Sequence, residues 1–456
     1  MTALRGLFAL LLCLVVVGAG APLASAHPLA IPAPQAAGVV AGAIVPGTVN
    51  RNSIHMTATY DVDAELAVDT GVLKVATTIT ARNDSGAGVD KIALNTIAAR
   101  LGALTITSAS VDGTPRTVTK SDQTLWVPLG GILPDNETVE VKVAYRATLK
   151  NSLTGSNWLF TRYNGTISLY RWIPWVSLSR PFDRPNHGDP FYTPSSSQVA
   201  VSLTLDKARV LAAPVGGLPT TASKTWSFTA HNVRDVNIVL ASDFTVTTRS
   251  VDGIAIRAYS RPGGVSGASI GDRAVTALDK EAARLGVAYP WSSFTLVETA
   301  GGYGMESPGM VWIPSNTSSA SLTYLVYHET AHQWFYGLVG NDQQREPFAD
   351  EAAADMLART VLGTLRSSNC AKDELDKKIT GYSSGCYYET IYIQGGNTLD
   401  RYRGKMGTTL FWNTLGDYVD ANRHKFGGTK ELLDTLLDAS PVDFSPNLRD
   451  RFPTLY

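Results

Sequence analysis

The sequence predicts a multidomain chain with an all-β N-terminal part and an α+β, mostly helical C-terminal part. Three observations carry this. From about residue 55 to 250 apolar and polar residues alternate with period two, as Val139, Val141, Val143 and Tyr145 do against Glu140, Lys142 and Ala144. Near residue 268 the period changes, and Ile270, Val275, Leu278, Ala282 and Leu285 recur at roughly helical spacing up to Gly286. The 456 residues include 40 Gly and are 44% hydrophobic, enough for two or three cores separated by many turns.

In chain order, residues 1–26 read as a secretory signal. Arg5 supplies the basic start, Leu7 to Val17 is an apolar run, and Ala24-Ser25-Ala26 is a cleavage site. The run is too short for a comfortable membrane span of about 20 residues, so export rather than stable membrane insertion is expected. Cys13 lies within that run, preceded by three leucines, and reads as ordinary signal sequence. Residues 27–52, with Pro28, Pro32, Pro34 and Pro46, read as a linker or extended lead-in. Residues 53–250 form the expected β domain, with turns at Asp112-Gly113, Pro134-Asp135 and Asp252-Gly253. Residues 251–456 form the second domain. It opens on the helix ending at Gly286, continues through strands at Phe294 to Val297 and Met310 to Ile313, and is mostly helical after Thr317.

Charge excludes one class of partner. With 39 Lys+Arg against 40 Asp+Glu and no long basic run, the chain is not built for nucleic acid. Beyond the signal only Cys370 and Cys386 remain, and in an oxidising compartment such a pair is most simply a disulfide.

The chemistry concentrates in His328-Glu329-Thr330-Ala331-His332, an H-E-x-x-H pattern. On a helix, positions i and i+4 share a face about 6 Å apart along the axis, so both imidazoles can reach one Zn²⁺. Glu329 lies one step round the helix, where it reaches a water beside the ion without being a ligand. Ser321 to Val326 leads into this helix and Gln333 to Tyr336 leads out of it. A third ligand is expected, and Glu351 follows His332 after 18 residues in another helical stretch. Asp355 is four residues on, on the same face, placed to accept the spare N–H of His328.

These residues resemble the aminopeptidase N family of gluzincin zinc metallopeptidases, which includes leukotriene hydrolase. His328 to Val339 reads H-E-T-A-H-Q-W-F-Y-G-L-V, close to the family's H-E-L-A-H-Q-W-F-G-N-L-V. Tyr303-Gly304-Met305-Glu306-Ser307-Pro308-Gly309 is similar to its G-x-M-E-N motif followed by P-G. The resemblance runs from about 285 to 440 and more weakly over the first half. It implies a saddle-like β domain followed by a thermolysin-like catalytic domain. It implies an aminopeptidase acting on peptide substrates, with one Zn²⁺ per chain on His328, His332 and Glu351 and with Glu329 as general base. It also implies that Glu306 holds the substrate's free α-amino group, with Gly304 and Met305 beside it.

The family's oxyanion-binding tyrosine corresponds to Tyr392, in Tyr392-Ile393-Gln394-Gly395, with Tyr388 as the competing position. The spacing from Glu351 is shorter than the family's, and Ser307 stands where the family has Asn. The readings that remain beside an aminopeptidase are a zinc endopeptidase, an epoxide hydrolase of the same fold, and a non-catalytic secreted binding protein.

Overall fold

A computed structural model describes residues 43–178, 182 and 192–456. The expected signal and residues 27–42 of the lead-in lie outside these. Residues 43–52 are not a free linker. Val45 bridges Ile132, and the Asp90 carboxylate accepts the Thr48 hydroxyl at 2.6 Å and the backbone N–H groups of Val49, Asn50 and Arg51 at 2.8, 2.7 and 2.9 Å. Four donors on one carboxylate hold it ionised and lash the segment to the β domain.

The alternating segments become strands with one face buried. Among the described residues a ten-stranded sheet carries the N-terminal half. Met56–Ala67 pairs antiparallel with Val72–Asn83, which pairs with Thr138–Thr148, while Val199–Ala212 joins Met56–Ala67 in parallel. A four-stranded sheet built on Val89–Asn95 and Thr124–Leu133 accompanies it. Val139, Val141, Val143 and Tyr145 all point into the shared core.

The second half is built on a five-stranded sheet, Thr245–Val251, Ile254–Ser260, Ser293–Thr299, Met310–Pro314 and the edge strand Met305–Ser307. The hairpin Thr245–Ser260 straddles the boundary expected at residue 250, and both its strands belong to this second sheet. Pro308-Gly309, with Gly309 at φ 75°, turns the chain back so that Glu306 pairs with Val311 on the edge strand.

Eight α-helices are described: α1 Ile97–Leu101, α2 Gly267–Leu285, α3 Ser319–Ala331, α4 Ala353–Leu362, α5 Gly396–Met406, α6 Thr408–Ala421, α7 Thr429–Ala439 and α8 Ser445–Arg451. α2 is the helix read from the period change; Ser266 caps its start and Gly286, at φ 70°, ends it. Ser318 caps α3. Among the described residues no helix is long and apolar enough to cross a membrane.

α3 is shorter than the sequence suggests. It ends at Ala331, and the lead-out to Tyr336 is a set of wide turns: Gly337, Leu338 and Val339 donate to the carbonyls of His332, Gln333 and Trp334. Tyr336 has φ 103°, a conformation that costs a residue with a Cβ and persists only where its surroundings demand it. The demand comes from the β half. The Tyr336 hydroxyl donates to Asp235 and accepts from Arg171, and Asp235 and Arg171 form a fully buried ion pair at 3.4 Å. The second oxygen of Asp235 accepts the Ser307 hydroxyl. One buried carboxylate thus ties the β half to the end of α3 and to the edge strand.

Replacing Asp235 with Ala removes its buried ion pair with Arg171 together with the Tyr336 and Ser307 hydrogen bonds and is expected to cost about 3–5 kcal/mol, read from the denaturant midpoint. Cys370 and Cys386 are disulfide-bonded across a separation of 16 residues. Replacing both with Ser is expected to lower stability by up to about 3 kcal/mol through the freed unfolded chain; an unchanged midpoint would show that this loop contributes nothing.

Candidate active site

α3 carries His328 and Glu329 on its buried face, and His332, also buried, caps its C-terminal end. The His332 Nδ1 lies 3.0 Å from the Phe335 carbonyl, which can only accept, so Nδ1 holds a proton and, whenever the ring is neutral, Nε2 presents a lone pair. That Nε2 is 3.2 Å from the Nε2 of His328 and 3.2 Å from Oε2 of Glu351; His328 Nε2 is 3.3 Å from the same oxygen. Three lone-pair donors in such a triangle repel unless a cation lies among them. Donors 2.0–2.2 Å from a tetrahedral Zn²⁺ are separated by about 3.3–3.6 Å, which this triangle meets to within about 0.1 Å. Among the described residues no fourth donor joins the group.

Glu351 arrives by an irregular route. Phe348–Ala352 forms a π-helical turn ahead of α4, a wider winding than the expected α-helix. Asp355 follows in α4, and here the sequence reading is corrected. Its carboxylate accepts from the Tyr324 hydroxyl and from Arg359 Nε at 2.9 and 3.1 Å, while the buried Nδ1 of His328 has no hydrogen-bond partner among the described residues. Arg359, one turn along α4, takes the carboxylate that was expected to face His328. The His328 ring is held by stacking instead, between Tyr324 at 5.5 Å and Tyr392 at 5.3 Å between centroids. Asp355 acts on it only through Tyr324.

Tyr392 lies in a second π-helical turn, Glu389–Gly395. Burial and the neighbouring Glu351 charge push its phenol well above the ordinary value, so it stays protonated. Tyr388 also lines the cleft but is 37% exposed, and its hydroxyl is engaged by Arg366 and Tyr324 at the rim.

Glu329 faces the cleft with one carboxylate oxygen unpartnered among the described residues. Burial first, then the Glu306 and Glu351 charges, raise its pKa well above the usual carboxylate range against the opposing pull of His332. Gly304 makes room for it: a Cβ there would sit 2.2 Å from Glu329 Oε1. On His332, burial alone would lower the pKa, yet the carboxylates of Glu306, Glu351 and Glu329 raise it well above normal. The net field at this place is strongly negative.

Glu306, beside Met305 on the edge strand, also lines the cleft. Its Oε1 accepts from Gln343 Nε2 at 2.9 Å, and the same amide donates to Asp350. Burial and the adjacent Glu351 charge raise Asp350 to about 8. Glu306, His332 and Asp350 also converge within 4.8 Å, but the Gln343 amide is bonded to both carboxylates. Gln333, directly after His332, donates to the Ser307 carbonyl at 3.1 Å and accepts from Gly309 N at 2.8 Å, fastening the Glu306 strand to the histidine segment.

Sequence reasoning did not assign Gln343, Asp350, Gln333 or Tyr324. Gln343 follows no spacing rule, whereas Asp350 and Gln333, adjacent to metal-ligand candidates, and Tyr324, four residues before His328 on α3, carried a positional signal. The cleft has a volume of about 430 Å³, and the β half contributes Trp158, Tyr170 and Phe182 to its walls.

No family model matches the chain, and no curated protein matches it. Solved structures do. The M1 zinc metallopeptidase from Deinococcus radiodurans is 17% identical with a TM-score of 0.62, covering 87% of this chain and 92% of that one. A mutant of that enzyme bound to a Tyr-Ser-Ala substrate is likewise 17% identical, with a TM-score of 0.64 over 89% of this chain and 95% of that one. A two-domain M1 zinc metallopeptidase mutant bound to L-tryptophan is 16% identical, with a TM-score of 0.62 over 90% and 94%. The β-rich first half followed by a helical second half is therefore the two-domain fold of the M1 zinc metallopeptidases.

Proposed function

We propose that the chain is a zinc-dependent aminopeptidase that removes N-terminal residues from peptides. The observation that carries this reading is the donor triangle of His328, His332 and Glu351, which opens onto a cleft that also holds Glu329 and Glu306. When bound there, Zn²⁺ supplies a Lewis acid and lowers the pKa of water.

The chain's own groups do the rest. Glu329 takes the proton of the attacking water and passes it to the leaving amine, a task suited to a carboxylate that burial and neighbouring carboxylates make more basic than usual. Tyr392, kept protonated by burial and by Glu351, donates a hydrogen bond to the oxyanion that develops on the scissile carbonyl. Glu306 receives the substrate's ammonium, where a charge-assisted hydrogen bond selects a free N-terminus. Gln343 spans Glu306 and Asp350, so its amide fixes where that ammonium is held. Gly304 and Met305 border the same position.

The division of labour follows the architecture. A saddle-like β domain walls the cleft, and a thermolysin-like domain from about residue 245 onward carries the chemistry. Export through residues 1–26 agrees with the disulfide Cys370–Cys386, which persists in oxidising surroundings.

Glu329→Gln is expected to keep one zinc per chain by metal analysis while losing at least about 100-fold in kcat on an aminoacyl fluorogenic substrate; wild-type turnover in this variant would refute the assigned base. Glu306→Gln is expected to lower kcat/KM by about 10–100-fold on free-amine peptides, the worth of a hydrogen bond to a charged group. N-acetylated peptides should resist the wild-type enzyme. Their ready cleavage would turn the reading to an endopeptidase.

A further inference from the structure

We propose that the groove between the disulfide-closed loop and helices α5 and α8 is a binding site for a small, doubly charged oxyanion. The groove has a volume of about 370 Å³ and is lined by Lys372, Arg401, Arg451, Gln394, Asn397 and Asn447. Three cations face it, and the neighbouring carboxylate, Asp450, is already engaged by Lys372.

Arg451 is the central observation. It is 4% exposed, yet its guanidinium finds only neutral acceptors: Nε donates to the Asp373 carbonyl and Nη2 to Gln394 Oε1, both at 3.0 Å. A buried cation without a counter-ion is costly, and burial together with the like charge of Arg401 lowers its pKa. Arg401 itself makes no ion pair or hydrogen bond among the described residues. Asn447 accepts from the Tyr402 hydroxyl at 2.7 Å through Oδ1, which leaves its amide N–H groups without an acceptor among the described residues. Unspent guanidinium and amide donors around a groove of net positive charge match the several acceptor oxygens of a phosphate or a polycarboxylate.

The groove is tied to the framework of the cleft. Gln394 sits two residues after Tyr392 in the same π-helical turn, and its amide donates to the carbonyls of Cys370 at 3.2 Å and Ala371 at 2.9 Å. An anion drawing Arg451 and Arg401 together would brace this hub from behind. The proposal stands whether or not the chain is an aminopeptidase.

The test is thermal unfolding of the full chain in sodium phosphate, in sodium citrate and in sodium chloride of matched ionic strength. A phosphate concentration tenfold above Kd should raise Tm by about 2 °C over chloride, and Arg401→Gln should abolish that difference while Arg401→Lys keeps part of it. The Arg401→Gln comparison separates the groove from general salt effects and from anions at the catalytic cleft. Citrate acting in place of phosphate would identify the carboxylate source. Calorimetric titration of the wild-type chain with phosphate should saturate, with one fewer site in Arg401→Gln. Equal Tm values in phosphate, citrate and chloride, or an anion shift untouched by Arg401→Gln, would overturn the proposal.

Discussion

Six ionisable groups share one buried space: the imidazoles of His328 and His332 and the carboxylates of Glu306, Glu329, Asp350 and Glu351. Like charges this close cannot all remain ionised in a low-dielectric interior without compensation. The structure spreads that compensation over several devices. Gln343 divides its amide between Glu306 and Asp350, and Asp350 is driven toward its neutral form. The largest remaining imbalance sits where two ring nitrogens and a carboxylate oxygen face one another, and a divalent cation is the species that relieves it. The rest of the second half is arranged to keep that convergence in place.

The convergence is held from both halves of the chain. Within the second half, Gln333 binds the Glu306 strand to the residues just past α3. From the first half, Asp235 and Arg171 grip the Tyr336 hydroxyl and, through Ser307, the same strand. The unusual backbone at Tyr336 is maintained by this grip. The serine at 307, a departure from the Asn of the resembled motif, has a structural role of its own: its short hydroxyl reaches the shared carboxylate.

Periodicity made the β half and α2 legible, because each buries one regular face, while the histidine helix was legible from the H-E-x-x-H interval itself. It could not reveal the π-helical turns that deliver Glu351 and Tyr392. A π turn inserts one residue into a winding that still looks helical in sequence. Asp355 shows the same limit from another side. Its position relative to Glu351 suggested a partner for His328, but the competing charge of Arg359, one turn further, decided where the carboxylate went. Tyr324, which took over the support of His328, lies one turn before it on α3, an interval that permits the contact without singling it out.

Local order alone therefore settled the alternation of strands, the helix that bears His328 and ends at His332, and the pairing of two cysteines in a single short loop. These depend on intervals of a few residues, where chain geometry leaves little choice. The tertiary structure decided which carboxylates face the imidazoles, which tyrosine lies against His328, and how Asp235 links two sheets across the molecule. Such contacts join residues far apart in the chain, and competition among neighbouring charges and rings for the same buried space is resolved only when all of them are packed together.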